Sequence, residues 1–181
     1  MSGPLTSSQI RKRIDDSGLV RQADARSFAP ASYEMRVGSY YSPAEGEPIS
    51  LVAGDGVALA PGGFVLIGTL EEVSLPRDIL GMMYLRSTYA RRGFSDWFQG
   101  LVDPGYRGAL TVALHNLTDH PLVILGGDRI CHLLFYPLDE MTDEYDGRYQ
   151  GSTAATPDAY GDREVSSFPI VGAPRQSVGP P

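Results

Sequence analysis

GLVDPGYRGALTVALHN, residues 100–116, is the stretch whose reading decides the fold. Leu101 and Val102 lead to a carboxylate, Asp103, then Pro104-Gly105, and Ala109 to Leu114 alternates as a strand. Proline presets φ and glycine accepts positive φ, so the pair fits the central positions of a tight turn. The stretch therefore reads as a hairpin that exposes Tyr106 and Arg107 and holds Asp103 where a strand ends. A carboxylate there can take a proton from water or bind a sugar hydroxyl, and Tyr106 offers a flat face to a base or ribose. The competing reading is a β-turn whose aspartate caps its own backbone.

Working outward, the segment before it, Arg86 to Gly93, holds three arginines and two hydroxyls in eight residues. It suits a triphosphate, with hydroxyls and backbone N–H groups on the oxygens and guanidiniums on the charge. An amphipathic helical turn with its arginines in solvent is the alternative. After the central stretch, Pro121–Leu125 and Ile130–Tyr136 read as strands joined by a Gly-Gly-Asp-Arg hairpin turn at 126–129, in which Asp128 and Arg129 are turn residues.

Farther upstream, Phe28–Tyr41 reads as one strand, alternating at Tyr33, Met35 and Val37. Shorter strands are expected near Ile49–Val52, Val57–Leu59, Phe64–Leu70 and Ile79–Leu85, with a turn at Pro61-Gly62-Gly63. The chain opens with a helix expected over Ser7–Ser17. Thr6 and Gln9 have capping-box spacing, Leu5 and Ile10 that of a hydrophobic staple, and Gly18 can close the last turn. Many short strands broken by glycine and proline, with one short helix, give an all-β jelly roll or barrel.

One domain over residues 1–160 is expected, because 181 residues suit a single core. From Pro137 the sequence turns polar and rich in small residues, an extended and partly mobile arm, and residues 161–181 form a flexible tail. A net charge of −7 argues against general nucleic-acid binding, which rests on neutralising phosphates. Of the 15 basic residues all but Lys12 are arginine, which suits bidentate phosphate recognition or reflects genome-wide codon usage. No apolar run has the length of a membrane span and the N-terminus lacks a secretory pattern, so a soluble cytoplasmic protein is expected. Cys131 is alone, and His115, His120 and His132 lack metal-ligand spacing. Neither a P-loop nor the His-x-Glu with Cys-x-x-Cys of zinc deaminases is present.

Five segments together resemble the dCTP deaminase and trimeric dUTPase superfamily. Ala31-Ser32-Tyr33-Glu34-Met35-Arg36 resembles its first motif, Arg86-Ser87-Thr88 the second, Gly100–Gly108 the third, Gly127–Leu133 the fourth, and Arg148-Tyr149-Gln150-Gly151-Ser152 the C-terminal arm. The resemblance implies a distorted jelly roll, a homotrimer with active sites between subunits, and Mg²⁺ bridging the triphosphate of dUTP or dCTP. It puts Arg86 and Ser87 at the phosphates with Arg148 closing over them from the arm, Asp103 and Tyr106 by the deoxyribose, and Thr88, Arg91, Gln99, Tyr149 and Ser152 among the substrate-binding residues. Glu34 replaces a more usual aspartate and is a candidate to reach Mg²⁺ through water.

Within the superfamily, deaminases place a proton-shuttling glutamate where this chain has Ala113, and the base-reading glutamine of the arm falls at Ser152. The third motif follows dUTPases, in which the aspartate activates the attacking water. The expectation is therefore a dUTPase-type pyrophosphohydrolase with Asp103 as the catalytic base. Its alternatives are a dCTP deaminase and a nucleotide-binding homologue without chemistry.

Overall fold

A computed structural model describes residues 3–42, 46–96 and 100–157; Gln99 and the expected tail, 161–181, lie outside the described residues. Helix α1 (Ser7–Ser17) has the expected bounds. The Thr6 N–H donates to Gln9 Oε1 at 2.8 Å, the Gln9 N–H reaches Thr6 Oγ1 at 3.5 Å, and Gly18 closes the helix at φ 66°. Ile10 is fully buried and Ile14 packs on the same core. That buried stripe holds the helix to the body.

The strands are β1 (Val20–Arg21), β2 (Phe28–Ala29), β3 (Ser32–Tyr41), β4 (Ile49–Ser50), β5 (Gly56–Leu59), β6 (Phe64–Ser74) and β7 (Ile79–Leu85). Helix α2 (Ser87–Arg91) comes next, then β8 (Phe94–Ser95), β9 (Leu101–Val102), β10 (Arg107–Asn116), β11 (Leu122–Leu125) and β12 (Arg129–Pro137). One antiparallel ladder runs β8-β10-β6-β3-β12-β7-β9, with β1, β2 and β4 paired at its sides, and β5 pairs with β11 separately. The ladder curls on itself as a distorted jelly roll around Tyr33, Met35, Ile67, Leu114, Leu133 and Phe135, all fully buried. The all-β class expected from the turn-rich sequence is the class observed.

Several local expectations need correction. The span Phe28–Tyr41 is two strands, β2 and β3, folded back at Pro30-Ala31, with Phe28 opposite Tyr33. Strand β6 runs past its expected end at Leu70 to Ser74. Its Glu71 is wholly buried against Arg36, which donates from Nε to Oε1 at 2.6 Å and from its backbone N–H to Oε2 at 2.7 Å. Tyr33 donates to the same carboxylate at 3.3 Å. A buried carboxylate so supplied is an acceptable strand residue.

Neither expected hairpin forms. The turn at Asp103–Tyr106 is tight as expected, with the Tyr106 N–H on the Asp103 carbonyl at 3.1 Å and Gly105 at φ 82°. Yet β9 pairs with β7 while β10 pairs with β6 and β8, so the turn is a corner between opposite ends of the ladder. Likewise β11 pairs with β5 and β12 with β3 and β7, on either side of 126–129. A turn dictates reversal of the chain, whereas the buried faces choose the partners.

The arm is ordered as far as the described residues extend. Its N–H groups at Leu138, Thr142, Tyr145 and Gly151 donate to the carbonyls of Asp78, Arg77, Pro104 and Arg107. A segment anchored at that many points lies against the body as a strap.

Candidate active site

A cavity of about 400 Å³ opens beside the Asp103 corner. The corner supplies Val102, Asp103 and Tyr106, strand β10 supplies Thr111 and Ala113, and Met83 of β7 and Leu66 of β6 close its apolar side. The strap contributes Tyr145, Tyr149, Ser152 and Thr156. Apolar walls with a few convergent polar groups are what a small ligand requires. Asp103 is the one acid among the described residues that line it.

The corner is held from two sides. The Gly105 N–H donates to the Leu75 carbonyl and the Leu75 N–H to the Tyr106 carbonyl, at 3.1 and 2.9 Å. From the strap, Gln150 accepts the Arg107 N–H on Oε1 at 2.7 Å and donates from Nε2 to the Gly105 carbonyl at 3.0 Å. Tyr106 is not the exposed face the sequence suggested. It is 7% accessible, its hydroxyl donates to the Ala109 carbonyl, and its ring meets Tyr145 edge-on at 5.6 Å. Burial pushes its phenol pKa up, so the hydroxyl stays a donor.

A second cluster gathers Arg86, Glu34, Arg129 and His132. Arg86 Nε donates to Glu34 Oε1 at 2.8 Å, and Arg129 Nη1 donates to Oε2 at 2.8 Å. His132 Nε2 stands 3.9 Å from Glu34 Oε1, and its Nδ1 pairs with Ser32 Oγ at 3.1 Å. Burial lowers the imidazole pKa, with Glu34 acting the other way. Beside this cluster Ser87, Thr88 and Arg91 lie exposed on α2, whose Tyr89 is buried and donates to Asp128 at 3.3 Å. The helical-turn reading of Arg86–Gly93 is the conformation that forms, with its hydroxyls outward.

The expected site residues thus fall into two groups within one chain. Asp103, Tyr106, Tyr149 and Ser152 line the cavity; Arg86, Ser87, Thr88 and Arg91 do not. Arg148 is exposed on the strap, its guanidinium 5.9 Å from the Tyr149 ring centroid. Sequence reading missed Arg129, His132, Tyr145 and Thr156 as site components. For His132 the missing knowledge is the β3–β12 register, which sets it opposite Glu34.

Among the described residues no group of three or more His, Cys, Asp or Glu side chains is placed to hold a metal ion. Both Glu34 oxygens accept from guanidiniums, so Glu34 does not fit the expected role of reaching Mg²⁺ through water. No helix among the described residues is long and apolar enough to cross a membrane.

Residues 4–138 match the model of the family described as dCTP deaminase-like. The chain belongs to the dCTP deaminase-like family. It is 38% identical over 148 residues to the dCTP deaminase of Pyrococcus horikoshii, covering 80% of this chain and 90% of that one. With the dUMP-forming dCTP deaminase of Corynebacterium glutamicum it shares 29% over 177 residues, 84% of this chain and 94% of that one. A crystal structure of 2′-deoxycytidine 5′-triphosphate deaminase from Agrobacterium tumefaciens superposes with a TM-score of 0.61 at 20% identity, covering 74% of this chain. This chain spans about half of that one, 48%.

These relatives overturn the expectation of a dUTPase-type pyrophosphohydrolase. The sequence relatives carry the deaminase name, while the likeness to a dUTPase fold, at 18% identity and a TM-score of 0.47, carries no argument about activity. The third motif misled because Asp103-Pro104-Gly105 is first a structural corner, demanded by the crossing between sheet ends whatever the chemistry.

Proposed function

We propose that the chain deaminates dCTP, with the Asp103 cavity holding the nucleoside. The observation that carries this reading is the 38% identity to a dCTP deaminase over 80% of the chain, joined to a cavity of nucleoside size at the third motif. A water oxygen bonds to C4 of cytosine, one water proton ends on N3 and the other on the amine, which departs as ammonia, and a C4 carbonyl remains, giving dUTP. Asp103 takes the proton from water and returns it to the leaving nitrogen, the work of a general acid–base group. Tyr106 and Tyr145 wall the sugar side, and the apolar side at Leu66, Met83 and Ala113 excludes bulk water.

The triphosphate reaches the Arg86–Ser87 segment; Glu34 is committed to two arginines, so the magnesium that the family resemblance implies would be held by the phosphates and would supply charge neutralisation there. The arginine cluster and the cavity share no lining residue in one chain, which supports the assembly that the family resemblance implies, a homotrimer with one subunit's arginines facing the next subunit's cavity.

A second reading rests on Ala113. A methyl group stands where the family resemblance expects the proton-shuttling glutamate, and this favours a nucleotide-binding member without deamination. Product analysis separates the two. Purified protein with dCTP and Mg²⁺ releases ammonia on the first reading; calorimetric binding of dCTP with no ammonia establishes the second.

A further inference from the structure

Three neighbouring strands present one row of small residues, Ser39 on β3, Gly68 on β6 and Thr111 on β10. Gly68 is the register partner of both others. Cross-strand partners share a face of the sheet, so the missing side chain at Gly68 leaves a slot flanked by two hydroxyls. The strap fills that slot. The Ala155 N–H donates to Ser39 Oγ at 2.9 Å, and the Thr156 N–H to Thr111 Oγ1 at 3.2 Å. Ala155 is completely buried, and a Cβ on Gly68 would collide with its backbone nitrogen and with Ser39 Oγ.

Between this slot and the corner, the Gly151 N–H donates to the Arg107 carbonyl at 2.8 Å and the Ala109 N–H to the Ser152 carbonyl at 2.7 Å. Tyr149, Ser152 and Thr156 reach the cavity from this doubly anchored segment, and Thr111 lines both the cavity and the slot. We propose that the Ser39–Gly68–Thr111 row is a seat that locks the strap over the cavity of its own chain, making Ser39 and Thr111 positioning residues. The strap's hydroxyls and rings then meet the ligand in fixed places, and lifting Ala155 from the seat opens the cavity.

The seat is tested without substrate, by amide hydrogen exchange of the full chain at Gly151 and Ala109, which lie outside the seat. Thr111→Val removes the acceptor at nearly constant volume, and Ser39→Ala removes the other. In each variant the two amides exchange about fivefold faster, the loss of one hydrogen bond from the closed state. Thr111→Ser, which keeps the hydroxyl, restores the wild-type rate, whereas Gly68→Ala speeds exchange more than either. Wild-type exchange in both Thr111→Val and Ser39→Ala overturns the proposal, as does failure of Thr111→Ser to restore it.

The part played in catalysis rests on the deaminase reading and is measured apart, with Ser39→Ala raising KM for dCTP more than it changes kcat. Absence of ammonia from the wild-type protein would overturn the deaminase reading while the exchange rates still decide the seat.

Discussion

Arg86 Nε and Glu34 Oε1 stand 2.8 Å apart, and Arg129 holds the other oxygen of the same carboxylate. The arginine assigned to phosphate is therefore pinned at its root by an acid from the first motif, which fixes its direction before any ligand arrives. Glu34→Ala leaves two guanidiniums without their partner in a half-buried place. It is expected to cost about 2 kcal/mol and to lower Tm by about 5 °C, with dCTP affinity falling as Arg86 loses its orientation. Thermal melting and calorimetry of the variant check both. Glu34→Gln, which keeps the shape and one acceptor, loses less.

The Glu71–Arg36 pair is the deeper of the two acidic hubs. Glu71 is completely buried and accepts from Arg36 and Tyr33, while Arg36 also reaches Asp24 at 3.2 Å and the Gln22 carbonyl at 2.8 Å. Glu71→Ala strands a guanidinium inside the sheet, and the expected loss is about 3–5 kcal/mol. Urea unfolding of Glu71→Ala against Glu71→Gln reads it, the glutamine variant remaining the more stable.

His132 gives the fold a pH dependence with a defined sign. Burial lowers its pKa from the ordinary 6.5, so between the folded value and 6.5 the unfolded chain binds more protons. Its contribution is full above about pH 6.5 and is lost as pH falls toward the folded value. Melting temperatures across that range should fall more steeply for the wild type than for His132→Gln. Parallel curves would remove His132 from the effect.

What could be read from sequence divides along the range of the interactions. The N-terminal helix was legible to the residue, because Thr6, Gln9 and Gly18 act within one turn of each other. The tight turn at Pro104-Gly105 was legible for the same reason. Its neighbours were not, since pairing β9 with β7 and β10 with β6 depends on which faces are buried across the whole ladder. Asp103 could be proposed for the site from its own motif, whereas His132 depends on a register partner 98 positions away, Glu34. The strap read as mobile because its composition is polar and small, yet smallness is what lets Ala155 enter the Gly68 slot.

Asp103 carries the most direct prediction. It is half-buried at the cavity wall, and the turn closes through its backbone carbonyl, which accepts the Tyr106 N–H at 3.1 Å. Asp103→Asn keeps size and hydrogen-bonding capacity but cannot accept a proton from water at neutral pH. Loss of a general acid–base group costs about 10²–10⁴-fold in turnover, and ammonia release from dCTP should fall by that factor while calorimetric affinity for dCTP stays within about threefold. Ammonia release at the wild-type rate would take the proton transfer away from Asp103. Since no other acid lines the cavity among the described residues, the group that relays the water's proton would then be sought outside this chain's cavity, on a neighbouring subunit or along bound water.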